Sequence, residues 1–186
     1  MKTRLSRIVP SVQRARCIGG PNSGECVCER VENMNRFPEN ALAAQHRLRY
    51  RSIIERQKWN VPNYCQMEFD QYDNPATKYL IYRDENYIAR GVSRFCIDQT
   101  LPPQTRKRIA SKIVVAYLET GLRYGIEGIV GLMHPAYWRS LFTSAGWEIQ
   151  YMGEVMRLDD GNKARAAWLP VSESVLARVR ADHRHS

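Results

Sequence analysis

The chain reads as an α/β protein with a mixed, largely antiparallel sheet. Three observations predict it: apolar residues at helical spacing over residues 39–58 and again over 104–124, and a hairpin of apolar and aromatic residues over 79–97 between them. With 186 residues, 44% apolar and 25% charged, the chain is long enough for one ordinary domain with its own core. The order helix, hairpin, helix, strand, helix, strand interleaves the two element types, as a mixed layout requires.

Taken in order, residues 1–30 lack periodicity and include the run Gly19-Gly20-Pro21-Asn22-Ser23-Gly24, so they are expected to form a basic, disordered extension, with the folded domain over 31–186. Pro38 sits where a helix can begin, and Ala41, Leu42, Leu48, Ile53 and Ile54 recur at roughly helical spacing up to Lys58. Residues 59–75 are rich in Pro, Asn and acidic side chains and predict a long ordered loop. Tyr79 to Tyr82 reads as a strand, Asp84-Glu85-Asn86 as its turn, and residues 87–97 as the second strand. After Pro102-Pro103 the second helix carries Ile109, Ile113, Val114, Tyr117, Leu118 and Leu122 on one face and stops at Gly125. Residues 129–133 predict a short buried strand, 136–144 a short helix ended by Gly146, and 148–157 and 165–169 the last strands.

Charge and composition exclude several classes of function. No apolar run is long enough to span a bilayer, and the first residues lack the apolar core of a secretory signal, so a cytoplasmic protein is expected. The five cysteines are odd in number and Cys17, Cys26 and Cys28 find no second Cys-x-x-Cys or paired histidine, which argues against disulfides and against a metal. The net charge of +9 favours an acidic partner. Nucleic acid is disfavoured because the charge comes without a helix-turn-helix, zinc finger or stacking-aromatic motif. No Ser-His-Asp arrangement can be assembled from His46, His134, His183 and His185; His46 reads as one more polar residue beside Arg47. Cys96, inside a predicted strand, reads as a small buried apolar residue.

A more specific signal lies in a spacing: Leu48-Arg49-Tyr50-Arg51, then Trp59, then Met67-Glu68-Phe69-Asp70-Gln71-Tyr72-Asp73. Singly, these are a surface helix charge, a core aromatic and a solvated turn. Together they resemble the acyl-homoserine lactone synthases, the autoinducer synthases of quorum sensing, which show an Arg in the first helix, a Trp about ten residues on and a Glu-x-Asp-x-x-Asp loop. The resemblance continues through Arg90-Gly91-Val92-Ser93-Arg94 and Phe95-Cys96-Ile97-Asp98, and through Gly146-Trp147 to Leu169-Pro170-Val171-Ser172, covering roughly residues 31–181.

This resemblance implies a single α/β/α domain of the acyltransferase-like (GNAT-type) kind. It implies a reaction in which an acyl chain, delivered by acyl carrier protein or coenzyme A, is transferred to the amine of S-adenosylmethionine, with lactone closure and loss of methylthioadenosine. It implies no cofactor, S-adenosylmethionine being a substrate. Arg94 and Glu68 fall on catalytic positions, and Arg49, Trp59, Asp70 and Asp73 on the S-adenosylmethionine site. That ligand's sulfonium and ammonium suit the carboxylates, its carboxylate suits Arg49, and its ring and cation suit Trp59. Arg106, Lys107 and Arg108 gather at the start of the second helix, where cations oppose the helix dipole, and suggest contact with an anionic acyl carrier. The absence of a Gly-rich loop before that helix argues against a conventional coenzyme A acetyltransferase.

The sequence also departs from the family. Two strand motifs, each ending on an Arg and separated in the family by a few tens of residues, here share one Arg, Arg94, as though an internal segment had been deleted. The Glu that precedes the second Arg, a candidate base for the attacking amine, aligns with Gly91. That predicts weak or lost activity, and either a shortened hairpin or entry into the second helix from the other end of the sheet. Two other readings stand beside the synthase: a non-catalytic paralogue or binding protein, and a coenzyme A-dependent N-acyltransferase acting on another amine.

Overall fold

The computed structural model describes residues 17–18, 26–30, 39–74, 77, 79–84, 89–92, 94–158 and 161–183, with only the backbone described at 17–18, 26–30, 39–41 and 182–183. The fold is α/β, and every strand pairing among the described residues is antiparallel. The strands are β1 (Cys17–Ile18), β2 (Cys26–Arg30), β3 (Asn63–Tyr64), β4 (Met67–Glu68), β5 (Tyr79–Arg83), β6 (Ala89–Val92), β7 (Cys96–Ile97), β8 (Gly128–Met133), β9 (Gln150–Tyr151), β10 (Met156–Arg157) and β11 (Lys163–Pro170). Helix α1 (Glu39–Arg49) continues as a wider π-type turn over Tyr50–Arg56, α2 spans Pro103–Arg123, α3 is a broken run of Pro135–Tyr137, Trp138–Phe142 and Thr143–Ala145, and α4 is Glu173–His183. No helix among the described residues is long and apolar enough to cross a membrane.

The first sheet runs β1-β2-β5-β6-β7 and the second β10-β11-β8, with β9 also on β11. Alternation along β5 divides the first sheet into two buried faces. Tyr79 and Ile81 join Leu48 and Ile53 of the first helix, with Ala89, Val92 and Cys96. Leu80 and Tyr82 join Ile109, Ile113 and Ala116 of α2, with Ile97. This continuously apolar strand is therefore buried on both sides, each face under its own helix. The second sheet packs Ala167 and Leu169 against Trp138, Phe142 and Trp147, and is closed by Val175, Leu176 and Val179 of α4.

Several expectations hold and several need correction. The long second helix lies where its periodicity puts it, and Gly146 caps α3 in the left-handed conformation at φ 78°. The extension over 1–30 is not wholly separate from the fold, because Cys26–Arg30 pairs along the whole of β5 and Cys17–Ile18 pairs with β2; the rest of that segment lies outside the described residues. The loop over 59–75 contains a two-residue ladder, β3 with β4, turned by Cys65 and Gln66 at φ 49° and 58°. Strand 129–133 is only half buried, Val130 and Leu132 being 59% and 52% exposed, because β8 is an edge strand with one face open. Helix α4 follows the last strand, with Ser172 Oγ accepting from the Val175 amide at its start.

The segment over 87–97 is two strands. Val92 pairs with Cys96 and Gly91 with Ile97, and between them Phe95 holds φ 52° with its amide donating to the Val92 carbonyl at 2.8 Å. The ring of Phe95 is fixed between Tyr117 and Phe142, at centroid distances of 5.4 and 4.8 Å. Side-chain stacking on α2 and α3 thus offsets an unfavourable backbone conformation. This is the shortened hairpin, and it keeps entry to α2 on the same side of the sheet.

Candidate active site

Helix α1 turns Arg49 inward beneath β4, where only 1% of it is exposed. A guanidinium so placed needs a partner for each face of its fork. Its Nε donates to Glu68 Oε2, and Nη1 and Nη2 donate to the two oxygens of Asp73, each at 2.7 Å. Asp73 also accepts from the Asp70 amide at 2.7 Å and the Tyr79 hydroxyl at 2.8 Å. Burial opposes ionisation of Asp73, and these four donors overcome it, holding its carboxyl at about 2. Burial likewise opposes the Arg49 charge and is overcome by Asp73 and Glu68, which raise its pKa above the ordinary value. Burial, then the bond to Asp73, raises that of Tyr79.

Arg94 reaches the same carboxylates from the β6–β7 turn. Its Nη1 donates to Glu68 Oε1 at 3.1 Å and to Asp70 Oδ2. Glu68, 1% exposed, therefore stands between two guanidiniums, one on each oxygen. Two arginines against Glu68, Asp70 and Asp73 leave the cluster with a formal charge of one negative. That balance suits a cationic ligand.

Arg94 also borders a cavity of about 570 Å³ between the edge strands of the two sheets. Phe95, Cys96 and Ile97 form one wall, Leu132, Met133, His134, Tyr137 and Leu141 the other, and Ile53, Arg56 and Trp59 a third. Pro103, Arg106, Lys107 and Ala110 bring the start of α2 to it. The size and the mostly apolar lining are those of a small-molecule site. Arg106 leaves its buried Nε without a hydrogen-bond partner. Burial pushes the Cys96 thiol up to about 11, which keeps it protonated.

The residues expected from sequence thus gather at one place, with one distinction among them. Arg49, Glu68, Asp70, Asp73 and Arg94 form one ion-paired cluster; Trp59, Arg106 and Lys107 line the cavity beside it; Arg108 is not among the lining residues. No group of His, Cys, Asp and Glu among the described residues could hold a metal ion. Gly91 is not an empty place in the cluster: a Cβ there would meet Ile109 Cγ2 at 2.7 Å and Ile113 Cδ1 at 2.9 Å, on the α2 face of the sheet. The absent Glu, aligned to that position, would point away from the arginines, so its absence leaves the cluster intact. Sequence reading overlooked His46 and Tyr79, both buried against the cluster. The signal for His46 was its place three residues before Arg49 on one helical face.

The fold is similar to that of solved structures of acyl-homoserine lactone synthases. TofI, in a ternary complex with an inhibitor and MTA, is 21% identical, with a TM-score of 0.66 over 82% of this chain and 95% of that one. BjaI, a CoA-dependent synthase with SAM and isopentyl-CoA, is 17% identical, with a TM-score of 0.70 over 82% and 86%. LasI is 16% identical, with a TM-score of 0.69 over 86% and 96%. No curated protein matches the chain by sequence. The autoinducer synthase family model matches residues 33–92, about a third of the chain and the segment that carries Arg49, Trp59, Glu68, Asp70 and Asp73. Over that segment the chain is similar to the autoinducer synthases.

Proposed function

We propose that the protein is an acyl-homoserine lactone synthase acting on S-adenosylmethionine. The observation that carries this reading is the juxtaposition of a net negative carboxylate–arginine cluster with an apolar cavity, Arg94 bordering both. In the reaction so assigned, the substrate amine first loses its ammonium proton and its nitrogen attacks the thioester carbonyl. The C–S bond of the thioester breaks and the thiol departs. A carboxylate oxygen of the substrate then attacks the carbon next to the sulfonium, closing the lactone as methylthioadenosine leaves, with one proton released overall.

In this reading Asp70 and Asp73 attract the cationic groups, Trp59 covers the ligand, and Arg49 holds the loop in place. Arg94 is the catalytic group that borders the reacting atoms. Glu68 acts through it, as a positioning carboxylate, since it is buried and is not among the cavity-lining residues. Arg106 and Lys107, at the start of α2, suit the phosphate of a pantetheine arm on either carrier protein or coenzyme A, with Arg108 on the exposed carrier side. The compartment that fits this chemistry is the cytoplasm.

A non-catalytic relative is the second reading, favoured by one observation: no carboxylate is among the cavity-lining residues. The test is mass spectrometry of purified protein incubated with S-adenosylmethionine and acyl thioesters of carrier protein and of coenzyme A. Methylthioadenosine and an acyl-homoserine lactone formed together support the synthase and identify the donor. Binding of S-adenosylmethionine with neither product supports the non-catalytic relative. Acyl transfer to another amine without methylthioadenosine would sink both.

A further inference from the structure

We propose that His46 is a positioning residue of this site: by donating from Nδ1 to the main-chain carbonyl of Glu68 it fixes the carboxylate that aligns Arg49 and Arg94. The ring is 3% exposed, and its Nδ1 lies 2.8 Å from the Glu68 oxygen. A carbonyl oxygen only accepts, so Nδ1 carries the hydrogen and the neutral ring leaves Nε2 bare. His46 and Arg49, three residues apart on α1, grip one residue at two points, His46 at its carbonyl and Arg49 at its carboxylate. The other carboxylate oxygen accepts from Arg94, the member of the cluster that borders the cavity. A displacement of the Glu68 main chain therefore moves both guanidiniums together.

The surroundings favour the neutral ring. Phe69 lies against it at 4.3 Å between centroids and Tyr79 meets it edge-on at 6.1 Å. The charged groups facing it are Arg49 from its own helix, Glu68 from β4 and Asp73 from the loop. Burial lowers its pKa, the bond to Glu68 opposes that, and Arg49 adds to the lowering. Conventional packing would be served as well by an aliphatic side chain; what distinguishes histidine here is a donor two bonds from Cβ.

The test compares His46→Asn, whose amide nitrogen sits where Nδ1 does, with His46→Leu, which keeps bulk and loses the donor. Loss of the buried hydrogen bond is expected to lower kcat/KM for S-adenosylmethionine about tenfold in the Leu variant, with recovery to within about threefold in the Asn variant. Packing alone predicts the opposite order, and Leu performing as well as Asn would overturn the proposal. This arm rests on the synthase reading. If the wild-type protein forms no methylthioadenosine, that reading has failed and His46 is judged on the same variants by hydrogen exchange of the Phe69, Asp70 and Asp73 amides, where protection should follow wild type, Asn, Leu. Imidazole ¹⁵N spectra of the wild type should show the hydrogen on Nδ1 near neutral pH; a hydrogen on Nε2 alone would refute the assignment.

Discussion

Asp73→Asn is the most incisive perturbation of the cluster because it keeps shape and removes charge. Four donors converge on the Asp73 carboxylate: two from Arg49, the Asp70 amide and the Tyr79 hydroxyl. An asparagine has one oxygen for them. Placed at Oδ2, that oxygen keeps Arg49 Nη2 and the Asp70 amide, while the NH2 group faces Arg49 Nη1 and leaves it without an acceptor. The tyrosine hydroxyl can rotate to accept; the guanidinium cannot.

The magnitude follows from titration. A carboxyl that ionises at about 2 in the fold and near 3.8 when free contributes about 2 kcal/mol at pH 7. Because the folded value is the depressed one, that contribution is complete above the free value and fades as the pH falls toward 2, with about half left at pH 3. Urea denaturation of wild type and variant at both values measures the gap. A gap below about 0.5 kcal/mol at pH 7, or one unchanged at pH 3, would refute the account of how Asp73 is held.

Gly91→Glu is expected to lower thermal stability without raising activity, since its Cβ would enter the space of Ile109 and Ile113, typically at a cost of about 1–3 kcal/mol; melting curves with a product assay decide it. Arg94→Lys should leave the melting temperature within a few degrees, the side chain being 40% exposed, and lower kcat/KM about a hundredfold, because the ammonium falls one bond short of the Nη1 that donates to both Glu68 and Asp70. Iodoacetamide at pH 8 followed by peptide mapping should label exposed Cys65 and spare Cys96, whose thiol is buried and pushed up to about 11.

The cluster was legible where chemistry has a spacing. Arg49, Trp59, Glu68, Asp70 and Asp73 were found together through the family resemblance that their intervals carry. The long helix α2 was legible because its apolar face repeats over 21 residues and ends at a glycine. The β3–β4 ladder was not, because its turn places Cys65 and Gln66 at positive φ, where glycine or asparagine is the usual signal. The β6–β7 turn escaped for the same reason: Phe95 adopts a conformation that its type avoids, and only contacts with Tyr117 and Phe142, distant in sequence, explain it. Helix α4 was overlooked although Ser172, Val175, Leu176 and Val179 are a cap and an apolar face, because arginines at 178 and 180 interrupt the pattern. His46 looked like a surface polar residue beside Arg47, since burial is a property of the packing partner and not of the helix alone.

The ion pairs of the cluster join residues only 19 to 26 positions apart in the chain. Its polar contacts therefore close small loops at low entropic cost. The sheet they rest on is another matter: Leu80, Tyr82 and Ile97 face nothing until Ile109 and Ile113 arrive. A chain truncated near residue 100 would carry the ion-paired loop on a sheet with one sticky side, a species prone to aggregation. Helix α2 is therefore the element whose delay would decide the yield of soluble protein, although it supplies none of the ion-paired residues of the cluster.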